Sequence, residues 1–478
     1  MAKRLSLEVA QTARMVPERI VQFGGGNFLR AFVDWVVDIL NEETDFCSGI
    51  ALVKATPGTY PALDAQDCLF TTYLHGVRDG EFIEETRLIT SVNRTVYPYQ
   101  NFADYLELAR QDQIRFIFSN TTESGIVFSD ADKLDDEPPA TFPAKLARFL
   151  YERYLHFEGA PEKGCIIIPT ELIEDNAARL REFILEYARL WGLNTGFGDW
   201  IARHNLFCNT LVDRIIPGYP EADAKRIFAE LGYEDPMLVA GETYHSWIIE
   251  APQRLLDEFP VKHTRTPLNV KIVDDAAPYR TIKVRLLNGA HSSMVPIGLL
   301  LGIESVREAM AHHALGPFIQ ALLYEEVIPS VTDVPRAELE AFARDVLDRF
   351  RNPNIHHRLL TISLNSSSKV RERIVPSILG YLDQGGHLPP RLVLALAAFI
   401  RLYKGEWQGA AIPVNDDPGV LDWFSEAWSA AASIDDLAEA VLARKALWER
   451  DLTQIPGLVD RVSQNLRAIE AGQLQALL

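Results

Sequence analysis

Cysteine is scarce in this chain: Cys47, Cys68, Cys165 and Cys208 are the only four among 478 residues, and no two form a CxxC pair. That excludes a disulfide framework and offers no zinc-type ligand spacing, so reduced thiols of a cytoplasmic protein and no bound metal are expected. A basic surplus is also missing, with 47 Lys and Arg against 66 Asp and Glu, a net charge of −19. Nucleic-acid binding needs a basic face, so no nucleic-acid partner is expected, and any anionic ligand must be held by local Lys and Arg. No uncharged apolar run approaches ~20 residues, so no membrane span is expected. The first residues, MAKRLSLEVAQTARM, lack the apolar stretch of a signal peptide. Internal repeats and low-complexity linkers are absent too.

What remains is an ordinary globular composition, 47% hydrophobic and 24% charged, over a length that suits two or three domains. From residue 18 to about 275, short apolar runs alternate with amphipathic segments, the βαβ rhythm of a parallel sheet. RIVQF (19–23), GIALVKA (49–55), IRFIFSN (114–120) and GCIIIP (164–169) read as strands. After PLNVKIVDDAAPY, strand-like runs nearly vanish and helical patterns take over, as in AELEAFARDVLDRF and PRLVLALAAFIRLY. The fold class expected is α/β, a Rossmann-type parallel-sheet domain over residues 1–278 followed by a mostly α-helical domain over 279–478.

Two stretches carry chemistry. The first, ERIVQFGGGNFLRAFVDWVVDIL (18–40), reads as strand, glycine turn and helix. Gly24, Gly25 and Gly26 sit where backbone amides can hold a pyrophosphate, although Leu29 stands where a dinucleotide fingerprint has its third glycine. Phe28, Phe32, Trp35, Val36 and Ile39 make one apolar helix face, and Arg30, Asp34 and Asp38 recur at i, i+4, i+8 on another. Lys54 and Thr56 occupy the end of the second strand, where an acid would grip a ribose 2′-OH. By itself this stretch allows a nucleotide loop or a tight structural corner.

The second stretch is YRTIKVRLLNGAHSSMVP (279–296), with Lys283, Asn288 and His291 at spacings of five and eight. On a continuous α-helix the three fall within an arc of roughly 140° and can face one cleft. A lysine ammonium can give a proton to a developing alkoxide, an asparagine amide can donate to the carbonyl oxygen, and a histidine can orient either partner. The same residues also suit a solvated helix-end lysine, an Asn-Gly turn and a satisfied polar histidine.

KVRLLNGAHS resembles the KxRxLNGxHS signature of the polyol-specific long-chain dehydrogenases, the mannitol dehydrogenase family. Five further segments resemble that family in order: FGGGNFLRAF, LDAQDCLFTT, SNTTESG, NTLVDRIIP and RFRNPNIHH. The resemblance implies NAD(H) as cofactor, metal-independent carbonyl reduction, and Lys283, Asn288 and His291 as the catalytic set. It implies cofactor contacts from Gly24, Gly25, Gly26, Asn27, Phe28 and Arg30, with Asn120, Thr121 and Thr122 on the second nucleotide loop. Asp213 and Arg214 match the family's cleft-lining VDR motif, and Lys369 matches a lysine near the substrate.

Two departures stand out. Leu172, in TEL, replaces an oxyanion-holding Asn of the family, and Thr361 replaces a polyol-binding Arg. PERIVQFGGGNFLRAFVDW, IIIPTELIEDN, EEVIPSV and DLTQIPGLVDRV resemble family members of hexuronate catabolism. The expected partner is therefore a small sugar acid, a ketohexuronate interconverted with its aldonate, D-tagaturonate with D-altronate foremost. Arg358, Lys369, Arg371 and Arg373 are the cations available for its carboxylate. The epimeric fructuronate, a neutral polyol such as mannitol, and a non-catalytic dinucleotide sensor are the alternatives. A monomer or homodimer is expected.

Overall fold

The computed structural model describes residues 3–12, 16–78, 80–122, 124–353 and 357–478, so residues 354–356 of RFRNPNIHH lie outside the described residues. The chain forms two compact units, one of residues 1–75 and 83–276, the other of residues 76–82 and 277–478.

The first unit is built on six parallel strands: β1 (Glu18–Phe23), β2 (Gly49–Val53), β3 (Val92–Val96), β4 (Phe116–Ser119), β5 (Ile166–Pro169) and β6 (Leu206–Phe207). Their order is β3-β2-β1-β4-β5-β6. The order reverses between β1 and β4, which places the ligand crevice of such a sheet at the carboxyl ends of those two strands. Alternate residues serve opposite faces. Ile20, Ile50, Leu52, Phe116, Phe118 and Ile166 enter one core. Val21, Phe23, Ala51, Val53, Ile117 and Ile167 enter the other. Both faces are covered, which explains why the strands read as unbroken apolar runs.

The helix foreseen after the glycine turn is two helices, α1 (Asn27–Arg30) and α2 (Val33–Glu43). The ladder breaks because the Ala31 carbonyl accepts from Arg214 Nη1 at 2.7 Å instead of from a following amide. All eight residues from Val33 to Leu40 are buried, so Asp34 and Asp38 do not face solvent as their spacing predicts. Further strands cover the side of α2 turned away from the main sheet. Trp247 packs on Phe32, His245 packs on Trp35, and Arg87 Nε donates to Asp38 at 2.7 Å.

On the sheet's other face lie α3 (Phe142–His156) and α4 (Asn176–Leu190). Arg153 of α3 is buried and donates to the carbonyls of Ala109, Gln111, Ile114 and Lys163. One guanidinium thus satisfies chain ends that would otherwise be orphaned in the core.

In the second unit, α5 (Gly289–Leu300), α6 (Ser366–Arg373), α7 (Val375–Gly385), α8 (Pro390–Leu402) and α9 (Leu458–Glu470) carry most of one large core. Helix α8 is buried from Leu392 to Leu402 without interruption and packs on α5 and α9. Its first amides, Arg391 N and Leu392 N, donate to Glu326 at 2.9 and 2.8 Å, so the EEVIPSV segment works here as a helix cap. Among the described residues, no helix is long and apolar enough to cross a membrane.

Asp34 generates a pH prediction. It is 0% exposed, and burial pushes its pKa up from 3.8 to about 8, partly offset by Gln22 and Arg30. The folded chain therefore keeps a proton that the unfolded chain releases, so this group's contribution to stability falls as pH rises from ~4 toward 8. Asp34→Asn should be more stable than wild type by about 5 kcal/mol at pH 8, with the difference shrinking to nothing near pH 4. Melting temperatures of both proteins from pH 4 to 9 test this; parallel curves would show that Asp34 ionises freely.

Candidate active site

The crevice of the first unit is floored by the glycine turn. Gly24 has φ +112°, and a Cβ there would lie 3.1 Å from the Asn120 carbonyl oxygen. No other residue fits where the ends of β1 and β4 come this close. Gly25 donates its amide to the Tyr60 hydroxyl at 3.1 Å. Gly26 is different: a Cβ on it would meet nothing within 4 Å. The amides of Gly26, Asn27 and Phe28 donate to no backbone carbonyl among the described residues, and no side chain caps α1. Free amides beside open space form a cradle for a phosphate, so the turn fits a dinucleotide pyrophosphate. The amides themselves do this, since α1 is a single turn with little dipole to add.

Beside the turn lies a cavity of about 500 Å³ lined by Phe28, Asn120, Thr122, Ser124, Glu171 and Leu172. Phe28 stacks on Phe32 at 4.9 Å and presents a fixed ring. Asn120 is anchored through Nδ2 to the carbonyl and hydroxyl of Thr170, at 2.9 and 3.1 Å. Glu171 is buried and accepts from Ser119 Oγ at 3.0 Å and from Thr121 N and Oγ1, both at 2.9 Å. Its pKa is raised by that burial despite the three donors. Thr121 is thus a tether of the loop rather than an open donor. Thr122 holds φ +76°, a strained conformation for a β-branched residue, and bonds Ser124 Oγ at 3.1 Å. Leu172 is 58% exposed at this wall and offers no side-chain hydrogen bond. Glu171 and Ser124 were not among the residues expected from sequence. The acid immediately after β5 was the available signal.

At the end of β2, Lys54 Nζ donates to Thr56 Oγ1 at 3.1 Å and lies over the Tyr60 ring. No carboxylate bonds this end of the strand among the described residues, as the sequence indicates.

Two of the cations expected at ligands make hydrogen bonds within the protein. Arg30 lies buried under the turn, where it donates to the Met237 carbonyl and to Asn27 Oδ1 and sits over the Phe70 ring. Burial lowers its pKa, against the opposing pull of Asp34 and Asp235. Arg214 is 6% exposed, donates to the carbonyls of Glu242, Ala31 and Thr243, and stacks on Trp35 at 4.4 Å. It ties the α1–α2 corner to the covering strands. Asp213, half-buried, ends its strand opposite Ser246.

In the second unit, Lys283–Asn288 winds as a π-helix that runs directly into α5. This corrects the expected uniform α-helix. In a π-helix residues five apart lie on successive turns, so Lys283 and Asn288 stack on one face. His291 follows Asn288 at i+3 in α5 and joins that face. Leu286 and Leu287 point into the core, while Lys283, Asn288 and His291 stay half-buried. The His291 ring packs on Phe350 at 4.4 Å and on His357 at 5.1 Å. Arg285, on another side, donates to Ser377 Oγ at 2.6 Å and Ser330 Oγ at 2.9 Å; burial lowers its pKa to about 10.

The carboxylate candidates are dissimilar. Arg358 is exposed and its backbone bridges Ser305. Arg371 pairs with Glu372 and Glu449. Lys369 Nζ donates to the carbonyls of Ile362 and Leu364. Arg373 Nη1 donates to Ser292 Oγ of α5 at 3.1 Å. No cluster of three or more His, Cys, Asp or Glu side chains among the described residues is arranged to hold a metal ion.

Comparison with known proteins gives a consistent picture. Residues 18–262 match the mannitol dehydrogenase Rossmann domain and residues 275–470 the mannitol dehydrogenase C-terminal domain. An altronate oxidoreductase of Pectobacterium atrosepticum is 46% identical over 467 residues, covering 95% of both chains. One from Escherichia coli O7:K1 is 47% identical over 468 residues, covering 96% of both. Among solved structures, a Pseudomonas fluorescens mannitol 2-dehydrogenase in ternary complex with NAD and D-mannitol is 22% identical, with TM-score 0.65 over 99% of this chain and 98% of that one. A substrate-free D-sorbitol dehydrogenase, also 22% identical, gives TM-score 0.79 over 97% and 95%. At that identity these two speak for the fold.

The role found for Arg214 is testable. Arg214→Met removes the donor to three buried carbonyls and should cost about 3 kcal/mol in urea unfolding. A variant of undiminished stability that loses ligand affinity alone would return Arg214 to the ligand.

Proposed function

The chain belongs to the mannitol dehydrogenase family, and on that premise we propose that it is a metal-independent, NAD(H)-dependent oxidoreductase that interconverts D-tagaturonate and D-altronate. The observation that carries the substrate is the end-to-end identity of 46–47% with altronate oxidoreductases. The reaction type is supported independently by the Lys283–Asn288–His291 face.

NAD(H), when bound, supplies or accepts the hydride at the sugar's carbonyl carbon. The residues for holding it are the amides of Gly26, Asn27 and Phe28 at the pyrophosphate, with Phe28, Asn120 and Thr122 at the neighbouring cavity. The rest of the reaction is proton and charge management. In reduction the Lys283 ammonium gives its proton to the oxygen as the carbonyl becomes an alkoxide; in oxidation the amine takes the hydroxyl proton. Asn288, stacked one π-turn further on, donates an amide N–H to the same oxygen and lowers the cost of its developing charge. His291 orients the sugar hydroxyl next to the carbonyl. Asp213 is the remaining carboxylate proposed for the sugar hydroxyls.

Lys283→Ala should lower turnover of tagaturonate by at least ~10³-fold, within the range of general acid–base contributions, while NADH binding changes by no more than a few-fold. NADH oxidation with tagaturonate, fructuronate and fructose, alongside NADH fluorescence titration, measures both. Preferred turnover of fructuronate would shift the substrate to the epimer. NADH binding with no turnover of any of the three would point to a sensor.

A further inference from the structure

We propose that Arg373 is the residue that holds the substrate carboxylate, and so sets the preference for a sugar acid over a neutral polyol. This rests on the function proposed above and names the group behind its specificity.

The structure separates the four cations near this end of the helical unit. Arg371 already has carboxylate partners in Glu372 and Glu449, at 3.0 and 3.4 Å. The Lys369 ammonium is taken up by two backbone carbonyls. Arg358 makes no side-chain hydrogen bond to α5 among the described residues and is exposed. Arg373 alone touches the helix that carries the catalytic face, through Ser292 Oγ at 3.1 Å. That bond uses Nη1. Nε and Nη2 donate to nothing among the described residues, which leaves the two-pronged edge that binds a carboxylate with parallel hydrogen bonds.

Electrostatics favour an anion at this edge. Arg373 is half-buried, and burial lowers its pKa; the one acid acting on it is its exposed neighbour Glu372, which is hydrogen-bonded to Arg371. Lys369 lies one turn before Arg373 on α6, and each cation disfavours the other. Asp416, the acid on the Lys369 side, is engaged by Ser367 and Tyr403. Two neighbouring, partly desolvated cations with no carboxylate between them are relieved by an incoming one.

The dimensions agree. Ser292 follows Asn288 at i+4, on the same face and about 6 Å along the axis. In a 2-keto-uronate four C–C bonds of ~1.5 Å separate the carbonyl carbon from the carboxylate carbon, a span of roughly 5 Å when extended. A carbonyl at Asn288 therefore puts the carboxylate near Ser292 and the Arg373 edge.

The test compares D-altronate with its neutral isostere D-altronamide, titrated calorimetrically into wild type, Arg373→Gln and Arg373→Lys at saturating NAD+. Wild type should favour altronate by ~30-fold or more. Arg373→Gln should reduce that preference to within ~3-fold with altronamide affinity unchanged, and Arg373→Lys, which keeps the charge but not the fork, should fall between. A preference that survives in Arg373→Gln, or an equal loss for both ligands, overturns the assignment while leaving the proposed function standing. A wild type that reduces no tagaturonate overturns the proposed function, and this inference with it.

Discussion

The winding of six residues, Lys283 to Asn288, is the constraint on which the proposed catalytic face depends. An α-helix would place Lys283 and Asn288 well apart around the axis, whereas the π-turn brings them into line while Leu286 and Leu287 still enter the core. A π-turn is intrinsically less favourable than α-helix, so its surroundings must hold it. Arg285 contributes by reaching Ser330 on one neighbouring segment and Ser377 on α7. Ser377 in turn donates to the Arg373 carbonyl at 2.9 Å. The residues that hold the turn are thus linked to the segment bearing Arg373. Positioning of the proton donor and of the cation beyond it share one set of hydrogen bonds.

The nucleotide turn in the first unit follows a parallel logic. Gly24 exists to let the ends of β1 and β4 meet, and Gly26 to leave space above free amides. The helix after the turn is not free to adjust, because Arg214 takes the Ala31 carbonyl and Arg30 reaches the Met237 carbonyl. Two buried guanidiniums anchor the corner to segments more than 180 residues away in sequence. Removing such charges from water is costly, and the carbonyls and aromatic faces they meet offset that cost. The result is a turn whose following corner is held in place by two buried guanidiniums.

Much of this was legible in the sequence, and the exceptions share a cause. β1, β2, β4 and β5 were visible because strands buried on both faces are apolar throughout. β3 was not, because VNRTV buries only its two ends. Asp34 and Asp38 look like a solvent face by spacing, and only the later covering strands make them interior. Arg30 and Arg214 sit inside true motifs, but a guanidinium that satisfies buried carbonyls has the same letter as one that binds a phosphate or a sugar. The spacing of Lys283, Asn288 and His291 was readable; the π-turn was not, because six residues are too few to show a change of period. Glu171 needed the fold, which brings the end of β5 to the loop after β4.

These features also resolve an apparent conflict between a net charge of −19 and an anionic substrate. At physiological ionic strength the screening length is about 8 Å, so most of the surface carboxylates are hidden from a small anion in a crevice. What it meets is local, and on the second unit the cations proposed for it are Lys283 and Arg373. Partial burial strengthens each of these contacts relative to one in bulk water. A neutral polyol gains little from such cations, since its hydroxyls cannot repay their desolvation. A carboxylate does repay it, so the cations that destabilise one another in the free protein become the source of discrimination once the acid is bound.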